Sequence, residues 1–324
     1  GLTALTLADW GKRVDPNGKV DKVIELLSQT NPILDDMLFV EGNLPTGHRT
    51  TVRSGLPQAT WRLLNYGVQP SKSTTVQITD GTGMLETYSE VDKDLADLNG
   101  NTSEFRLSED RAFLEGMNQQ MAQTLFYGDT SVNPQQFMGL SSRYSSKTAG
   151  NGQNIIDAGG TGTDNTSIWL VVWGENTVHG IFPKGKKAGL QMKDLGEQTL
   201  TDANGGRYQG YRTHYKWDNG LTLRDWRYAV RIANIDVSDL AVPGTAVNIV
   251  TQMVKALHRI PNRGMGKPVF YMNRTVAQAL DLQSLDKNSL ALSVKETEGD
   301  WWTAFRGIPI RETADLLETE SRVV

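Results

Sequence analysis

The sequence predicts an α+β protein in which strands lie across one long helix, and three stretches carry this prediction. Residues 103–127 repeat apolar side chains with the period of a helix. Residues 44–91 are rich in Thr, Ser, Arg and Gly and alternate as β-strands do. Residues 168–173 are apolar in both phases, which is typical of a strand covered on both faces. The three stretches together favour a fold that contains both kinds of element.

The long helix is predicted over residues 103–127, with either Ser103 or Ser108 as its N-cap. Its apolar face consists of residues four apart and their neighbours: Phe113, Met117, Met121 and Leu125, with Leu114, Ala122 and Phe126. Gly128 is expected to end the helix in a left-handed conformation. At ~1.5 Å per residue the helix is about 37 Å long. A one-sided stripe on so long a rod predicts a spine on which other elements pack.

Residues 1–43 are predicted to form an N-terminal arm. They hold one short helix candidate, residues 20–28, preceded by a stretch with few apolar side chains to bury, Trp10 among them. Such a segment needs another surface to lie on. The start has no basic segment followed by an apolar run, and no part of the chain approaches the ~20 apolar residues of a membrane span.

Residues 44–91 are predicted to form a long two-stranded hairpin with its tip at residues 66–71. Arms of roughly 15 to 18 residues would reach roughly 50 to 60 Å at ~3.3 Å per residue. A lone ribbon with few apolar side chains is marginal in water, so we expect it to lie on a neighbouring molecule. The alternative is that these residues form two ordinary strands of a compact sheet.

The second half of the chain contains further predicted elements. The dipeptide Asn219–Gly220 lies between two alternating runs, which predicts a tight hairpin over residues 208–232. In its first arm one face carries the side chains of Tyr211, Thr213, Tyr215 and Trp217. The remaining expectations are helices over residues 247–257 and from a cap at Asn273 or Thr275 to Leu282, strands over residues 269–272 and 308–311, and an acidic, exposed end.

Composition limits the class of protein. A chain of 324 residues with 38% hydrophobic and 22% charged residues is long enough for one large domain or two ordinary ones. The net charge is −4, from 33 basic and 37 acidic residues, whereas a dedicated nucleic-acid binder carries a strong basic excess. The absence of cysteine excludes disulfides, thiolate metal sites and cysteine nucleophiles, and it suits a reducing cytoplasm.

No motif predicts a catalytic, cofactor or metal site. Residues 180–187 nearly match a phosphate-binding loop, but Lys187 replaces the hydroxyl that binds Mg²⁺ and Pro183 removes a backbone N–H. Residues 202–206 resemble the start of a calcium loop without its later ligands, so a turn is expected. Surface or hairpin-face roles are expected for the histidines, which lack metal-binding spacing: His48, His179, His214 and His258. We therefore expect a protein that is not an enzyme.

Four segments carry a resemblance to a known family. They are residues 29–34 with 41–43, the long helix followed by Gly128–Asp129 and Phe137–Leu140, Pro268–Thr275, and Phe305–Ile310. In this order they resemble the tailed-phage major capsid proteins with the Hong Kong 97-like fold, and the first is similar to the coats of short-tailed phages. Residues 155–232 depart from the pattern expected between the long helix and the C-terminal part of that family.

The resemblance implies a coat protein that self-assembles into the icosahedral shell around a phage double-stranded DNA genome. The implied parts are the arm (1–43), an extended hairpin loop (44–91), a peripheral lobe with the spine helix and an inserted hairpin (92–240), and an axial lobe with the closing strand (241–324). It further implies hexamers and pentamers, a portal, weak contact with packaged DNA, no membrane, and assembly in the host cytoplasm. A separate scaffolding protein is expected because no long charged helix precedes the arm, and a cement or decoration protein is a further candidate partner.

Charged and aromatic residues of the hairpin are the candidate contacts between subunits, since arginine forks pair with carboxylates and tryptophan anchors interfaces. The candidates are Trp10, Arg49, Arg53, Trp61, Arg62 and Lys72, with Glu90, Asp92, Asp94, Glu104, Glu109 and Asp110 as acidic partners. The alternative for each charge is simple solvation. For the whole protein the alternatives are a non-viral shell or tube, and a hydrolase or carbohydrate-binding module that uses the Tyr and Trp face of residues 208–232.

Overall fold

The structure is a computed structural model that describes residues 31–100, 102–242, 244–286, 292–297 and 300–324. Trp10 and the helix predicted over residues 20–28 lie outside these ranges. Within them, no helix is both long and apolar enough to cross a membrane.

The described part of the chain contains both helices and strands, as the α+β prediction requires. The helices are α1 (Pro32–Asp36), α2 (Lys93–Ala96), α3 (Thr102–Tyr127), α4 (Leu140–Arg143), α5 (Val237–Leu240), α6 (Ile249–Leu257) and α7 (Arg274–Asp286). The strands are β1 (Phe39–Glu41), β2 (Gly47–Gly55), β3 (Thr74–Asp92), β4 (Ile155–Asp157), β5 (Asn165–Trp173), β6 (Val178–Phe182), β7 (Gln191–Thr201), β8 (Arg207–Leu223), β9 (Ala229–Asp236), β10 (Lys267–Met272), β11 (Leu292–Thr297), β12 (Asp300–Phe305) and β13 (Ile308–Glu312).

One sheet runs through the described part of the chain in the order β11-β12-β13-β10-β5-β6-β8-β3-β2, with β1, β4, β7 and β9 joined at its sides. Strand β5 lies at its centre, between β10 on one side and β9 on the other. All nine residues of β5 are buried, so the predicted strand with two covered faces is confirmed. The core forms around it because apolar side chains on both faces of a strand require cover on both faces.

The long helix α3 is confirmed, and it packs its predicted face on this sheet. Met117, Met121 and Leu125 are buried, whereas Phe113 is only partly so. Both predicted caps are wrong because the helix already begins at Thr102, whose hydroxyl donates to Asp97 Oδ1 at 2.6 Å.

The helix ends as predicted before Gly128, but the predicted left-handed conformation there is wrong: this residue is not among the described glycines with positive φ. The glycine at position 128 is required for a different reason. A Cβ at Gly128 would lie 2.3 Å from the carbonyl oxygen of Phe137, which crosses the helix end. Close approach of a second segment, and not backbone conformation, therefore excludes a side chain here.

The tight hairpin predicted at Asn219–Gly220 is wrong. Strand β8 continues straight through both residues, pairing Asn219 with Gly83 of β3 and Gly220 with Ile181 of β6. The reversal lies instead at residues 202–206, between β7 and β8, where Asp202 Oδ1 accepts from the backbone N–H groups of Asn204 and Gly206. Pairing with strands on both sides outweighs the local turn preference of Asn-Gly.

The C-terminal elements follow the predictions closely. Asn273 caps α7 by accepting from the N–H of Val276 at 2.9 Å, and β13 covers the predicted residues 308–311. The end of the chain is not the exposed tail expected, because Glu320 and Asp315 are buried.

Candidate assembly interface

The hairpin is shorter than predicted, because β3 changes partner along its length. Its first part, residues 74–81, pairs with β2, and its second part, residues 82–92, pairs with β8 in the main sheet. The prediction of two arms of 15 to 18 residues is therefore wrong, and the alternative of ordinary sheet strands holds for the second part of β3. The predicted tip is also displaced: a turn closes between Leu63 and Tyr66, within the loop of residues 56–73.

Every residue from 56 to 79 is exposed. We call residues 56–73 the hairpin loop and residues 74–79 its returning strand. Together they include large apolar side chains: Leu56, Trp61, Leu63, Leu64, Tyr66, Val68, Val76 and Ile78. Among these side chains only Trp61 was a predicted contact between subunits. An apolar set of this size on one projecting element is characteristic of a surface that a partner covers.

The cations of the hairpin have no carboxylate partner among the described residues. Arg49 donates to Thr79 Oγ1 at 3.3 Å and Arg62 to the carbonyl of Tyr66 at 3.5 Å, while Arg53 and Lys72 are exposed. Their charges are therefore available to a second molecule.

Most of the acidic candidates are engaged within the chain. Glu90 forms an ion pair with Arg212 at 2.8 Å. Asp92 caps α2 by accepting from the N–H of Asp94 at 2.9 Å, and Asp110 accepts a hydrogen bond from the hydroxyl of Tyr215.

The remaining acidic candidates differ in exposure. The Asp94 and Glu104 side chains are exposed and form no ion pair with a described residue, while Glu109 is half-buried. Within one chain the hairpin cations do not contact the predicted acidic partners, and their pairing between subunits stays a prediction.

A groove lies between helix α3 and strand β3, beside the root of the hairpin. One part has a cavity volume of about 320 Å³ and is lined by Leu85, Phe113, Gly116 and Met117, with further residues of both elements. A second part, of about 140 Å³, shares Leu85 with the first. Gly116 lines the groove without a side chain, and a Cβ at this position would meet nothing within 4 Å.

A buried polar cluster lies where the hairpin leaves the body. We call it the root cluster: His48, Asp80, Arg143, His179 and Arg224. His48 of β2 lies opposite Asp80 of β3 in the hairpin ladder. Arg143 Nη1 donates to Asp80 Oδ1 at 2.9 Å, and Arg224 Nη2 lies 3.2 Å from His48 Nε2. The surface roles expected for His48 and His179 are wrong, because both side chains are buried.

Burial and the neighbouring Arg224 lower the pKa of His48, and nearby Asp80 partly opposes this. Burial also lowers the pKa of His179. The two rings are 6.1 Å apart and meet edge to face. The sequence did not predict this cluster, because its members come from five separate segments. The one local signal for the place where β3 changes partner is the pair of glycines after Asp80, Gly81 and Gly83.

The comparisons with known proteins identify the family. A family profile described as Major capsid protein GP7 matches residues 15–324. The chain belongs to this family. A chain in the cryo-EM structure of bacteriophage Epsilon15 is 35% identical, with a TM-score of 0.73, over 100% of this chain and 98% of that one. The fold predicted from the resemblance, the Hong Kong 97-like capsid fold, is confirmed.

Two more distant similarities concern other particles. The capsid of a native GTA particle is 10% identical with a TM-score of 0.48, over 72% of this chain and 99% of that one. The capsid of bacteriophage JBD30 is 9% identical with a TM-score of 0.48, over 87% and 90%. No curated protein matches the chain.

As a Major capsid protein GP7 family member, the protein is a coat protein of a phage virion, and the predicted function is confirmed. The alternative of an aromatic ligand site on residues 208–232 is wrong on structural grounds as well. Tyr215 and Trp217 are buried in the core, and the Tyr215 ring stacks on the ring of Phe113 in α3.

Proposed function

We propose that the hairpin is the element by which one coat subunit docks on the next, with the apolar side chains of its loop inserted into the groove between α3 and β3 of a neighbouring copy. The observation that carries this proposal is the continuous exposure of residues 56–79 together with their large apolar side chains. Such a loop has no core of its own, so burial against a second copy supplies the free energy that orders it.

The lining and the position of the groove suit the apolar side chains of a neighbouring copy's hairpin loop. Leu85, Phe113 and Met117 line it, and Met84, exposed on the same strand, extends the apolar surface beside it. Asp94 on α2 and Glu104 on α3 are exposed carboxylates. They are the acidic groups that Arg53 and its neighbours on the incoming hairpin would pair with.

The same role extends to the whole shell. Copies joined hairpin to groove form hexamers and pentamers, and many weak contacts sum to a stable shell through multivalency. Residues 1–43 act as an arm on a neighbour through Trp10. Residues 92–240 act as the peripheral lobe and residues 241–324 as the axial lobe. The protein has no enzymatic activity. Assembly takes place in the bacterial host cytoplasm with a separate scaffolding protein, a portal and a cement protein, and the modest net charge of −4 keeps contact with packaged DNA weak.

The test is assembly of a Trp61→Ala variant, followed by sedimentation and negative-stain imaging of the fast fraction. Since Trp61 is fully exposed in the subunit, we expect unchanged thermal unfolding of the free subunit. A central aromatic anchor contributes about 2 kcal/mol or more to an interface, so we expect the protein concentration needed for assembly to rise at least about thirtyfold.

Val132→Ala is the matched control, because Val132 is an exposed apolar residue outside the hairpin. It is expected to assemble as the wild type does. Normal shells from Trp61→Ala, or equal defects in both variants, would contradict docking through the hairpin loop.

A further inference from the structure

The hairpin leaves the body at one register pair, and the root cluster surrounds that pair. From Arg49 outward the hairpin makes contacts mainly within itself, while from Thr82 onward β3 belongs to the main sheet. His48 and Asp80 form the last buried pair between these two parts. Next to them Gly47 and Gly81 face each other, so the backbone at this point is the least restrained by side chains.

Two arginines of the body hold the two strands of the hairpin separately. Arg143 is fixed by donating to the carbonyl oxygens of Met138 at 3.2 Å and Leu221 at 2.5 Å, and its third contact is the Asp80 carboxylate on β3. Arg224 contacts the His48 ring on β2. Each strand of the hairpin therefore has a side-chain contact with a different arginine of the body.

The His48 contact requires an uncharged ring. Two donors face the ring, the backbone N–H of Asn43 at 3.3 Å from Nδ1 and Arg224 Nη2 at 3.2 Å from Nε2. A neutral imidazole has a proton on one nitrogen, so it accepts from one of these two donors. An imidazolium has a proton on both nitrogens, so it would oppose a donor on each side and add a positive charge beside Arg224. A proton on His179, whose Nε2 is buried without a partner among the described residues, adds a further charge to the same cluster.

We propose that the root cluster is a protonation-controlled lock, which holds the hairpin at one angle while His48 and His179 are neutral and releases it when they take up protons. The proposal deepens the docking role proposed for the hairpin, since it states how presentation of the hairpin loop is regulated. The charged groups that face the two rings are Asp80 from β3 and Arg224 after β8. Arg143 from α4 contacts Asp80. The single carboxylate is already paired with Arg143, so it does not neutralise two imidazolium ions.

The direction of the pH effect follows from the lowered pKa of both rings. In the released state the rings titrate near the ordinary value of 6.5, and in the locked state they titrate lower. The released state therefore binds more protons below pH 6.5. The lock is fully present above that pH and weakens as the pH falls through the interval below it.

The experiment is hydrogen exchange on the full-length chain as free subunits, followed at the hairpin amides of residues 49–53 and 75–79 between about pH 7.5 and pH 5. Each variant is compared with wild type at the same pH, which removes the intrinsic pH dependence of exchange. We expect wild-type protection of these amides to fall as the pH is lowered, because both rings have a lowered pKa in the locked state. His48→Gln with His179→Gln should remove this fall, and His258→Gln, at an exposed helix end, should leave it intact.

A wild-type protection that does not change with pH, or that falls equally in the double variant, would overturn the lock. If the double variant does not fold, histidine NMR of the wild type decides the matter. Two imidazoles should then titrate below the ordinary value of 6.5, and the loss of hairpin protection should follow their titration. A loss of protection at a pH where neither of them titrates contradicts the proposal.

The outcome is independent of docking because it is measured on free subunits. Normal assembly of Trp61→Ala would overturn docking and leave the exchange result standing. A hairpin insensitive to pH would overturn the lock and leave docking standing.

Discussion

The hairpin loop and the sheet core around β5 are at opposite extremes in how far their apolar side chains are buried within one chain. In β5 all nine residues are buried, and neighbours lie on both sides. In the hairpin loop every residue is exposed, although it includes large apolar side chains such as Trp61 and Leu64. The core completes its own packing, whereas the loop carries apolar surface that only another molecule can cover.

This difference separates stability from assembly. Substitutions in the core are expected to change the free energy of unfolding, and substitutions in the hairpin loop are expected to change association while the subunit remains stable. The boundary between the two regions lies at the root of the hairpin, where both properties should respond.

The largest effect is expected at a buried ion pair of the core. Glu320 Oε1 accepts from Arg231 Nη2 at 2.7 Å and from Ser167 Oγ at 2.7 Å, and Tyr127 donates to its other oxygen. Glu320→Gln leaves Arg231 charged and buried, so we expect the free energy of unfolding to fall by about 3–5 kcal/mol in urea denaturation.

The exposed Glu318 supplies the control for that measurement. Glu318→Gln is expected to leave the denaturation midpoint unchanged. A Glu320→Gln variant as stable as wild type would show that the C-terminal segment is not part of the core.

The second prediction concerns pH and the buried Asp315. Burial raises the pKa of this carboxyl to about 6, so the folded state binds the proton more tightly than the unfolded state. Its contribution is fully present below the unfolded pKa of about 4 and is lost as the pH rises through 6. Asp315→Asn should abolish this loss, which is about 3 kcal/mol, in melts at a series of pH values. The same pH slope in wild type and variant would contradict it.

At the boundary, two facing glycines give a matched pair. A Cβ at Gly47 would lie 2.1 Å from the carbonyl oxygen of Asp80, while a Cβ at Gly81 meets nothing within 4 Å. Gly47→Ala should therefore destabilise the hairpin root by about 1–3 kcal/mol, seen as faster hydrogen exchange at residues 49–53. Gly81→Ala should exchange as wild type does, and equal effects of the two would refute the steric explanation.

The smallest effect is expected from charge in the hairpin. Arg53 has no carboxylate partner among the described residues, so Arg53→Glu should leave thermal unfolding unchanged and weaken assembly by about tenfold, as like charges meet at the interface. Lys193→Glu, on the exposed strand β7, is the control for a charge reversal outside the hairpin. Assembly that is equally sensitive to both changes would assign the effect to net charge alone.

Local patterns predicted much of this molecule. The helix α3, the fully buried strand β5 and the Asn273 cap of α7 follow from residues near each other in the sequence, because helical and strand periods and caps are local properties. The exposed loop was predicted as a partner contact, but its apolar content was underestimated because only Trp61 was singled out.

The errors have one physical cause, which is competition from distant segments. Asn219–Gly220 has a strong preference for a turn, yet pairing with β3 and β6 holds it in a strand. The acidic end was expected in solvent, yet Arg231 draws Glu320 into the core.

The sequence by itself determined the long helix α3, the buried strand β5 and the elements around Asn273, that one hairpin lacks a core of its own, and which family the chain resembles. Only the tertiary structure decided where β3 leaves β2 for β8, which charges remain unpaired, and that His48, Asp80, Arg143, His179 and Arg224 meet at that point. The reason is that hydrogen-bond preferences and side-chain periods act over a few residues. Pairing of charges and burial depend on segments that only folding brings together.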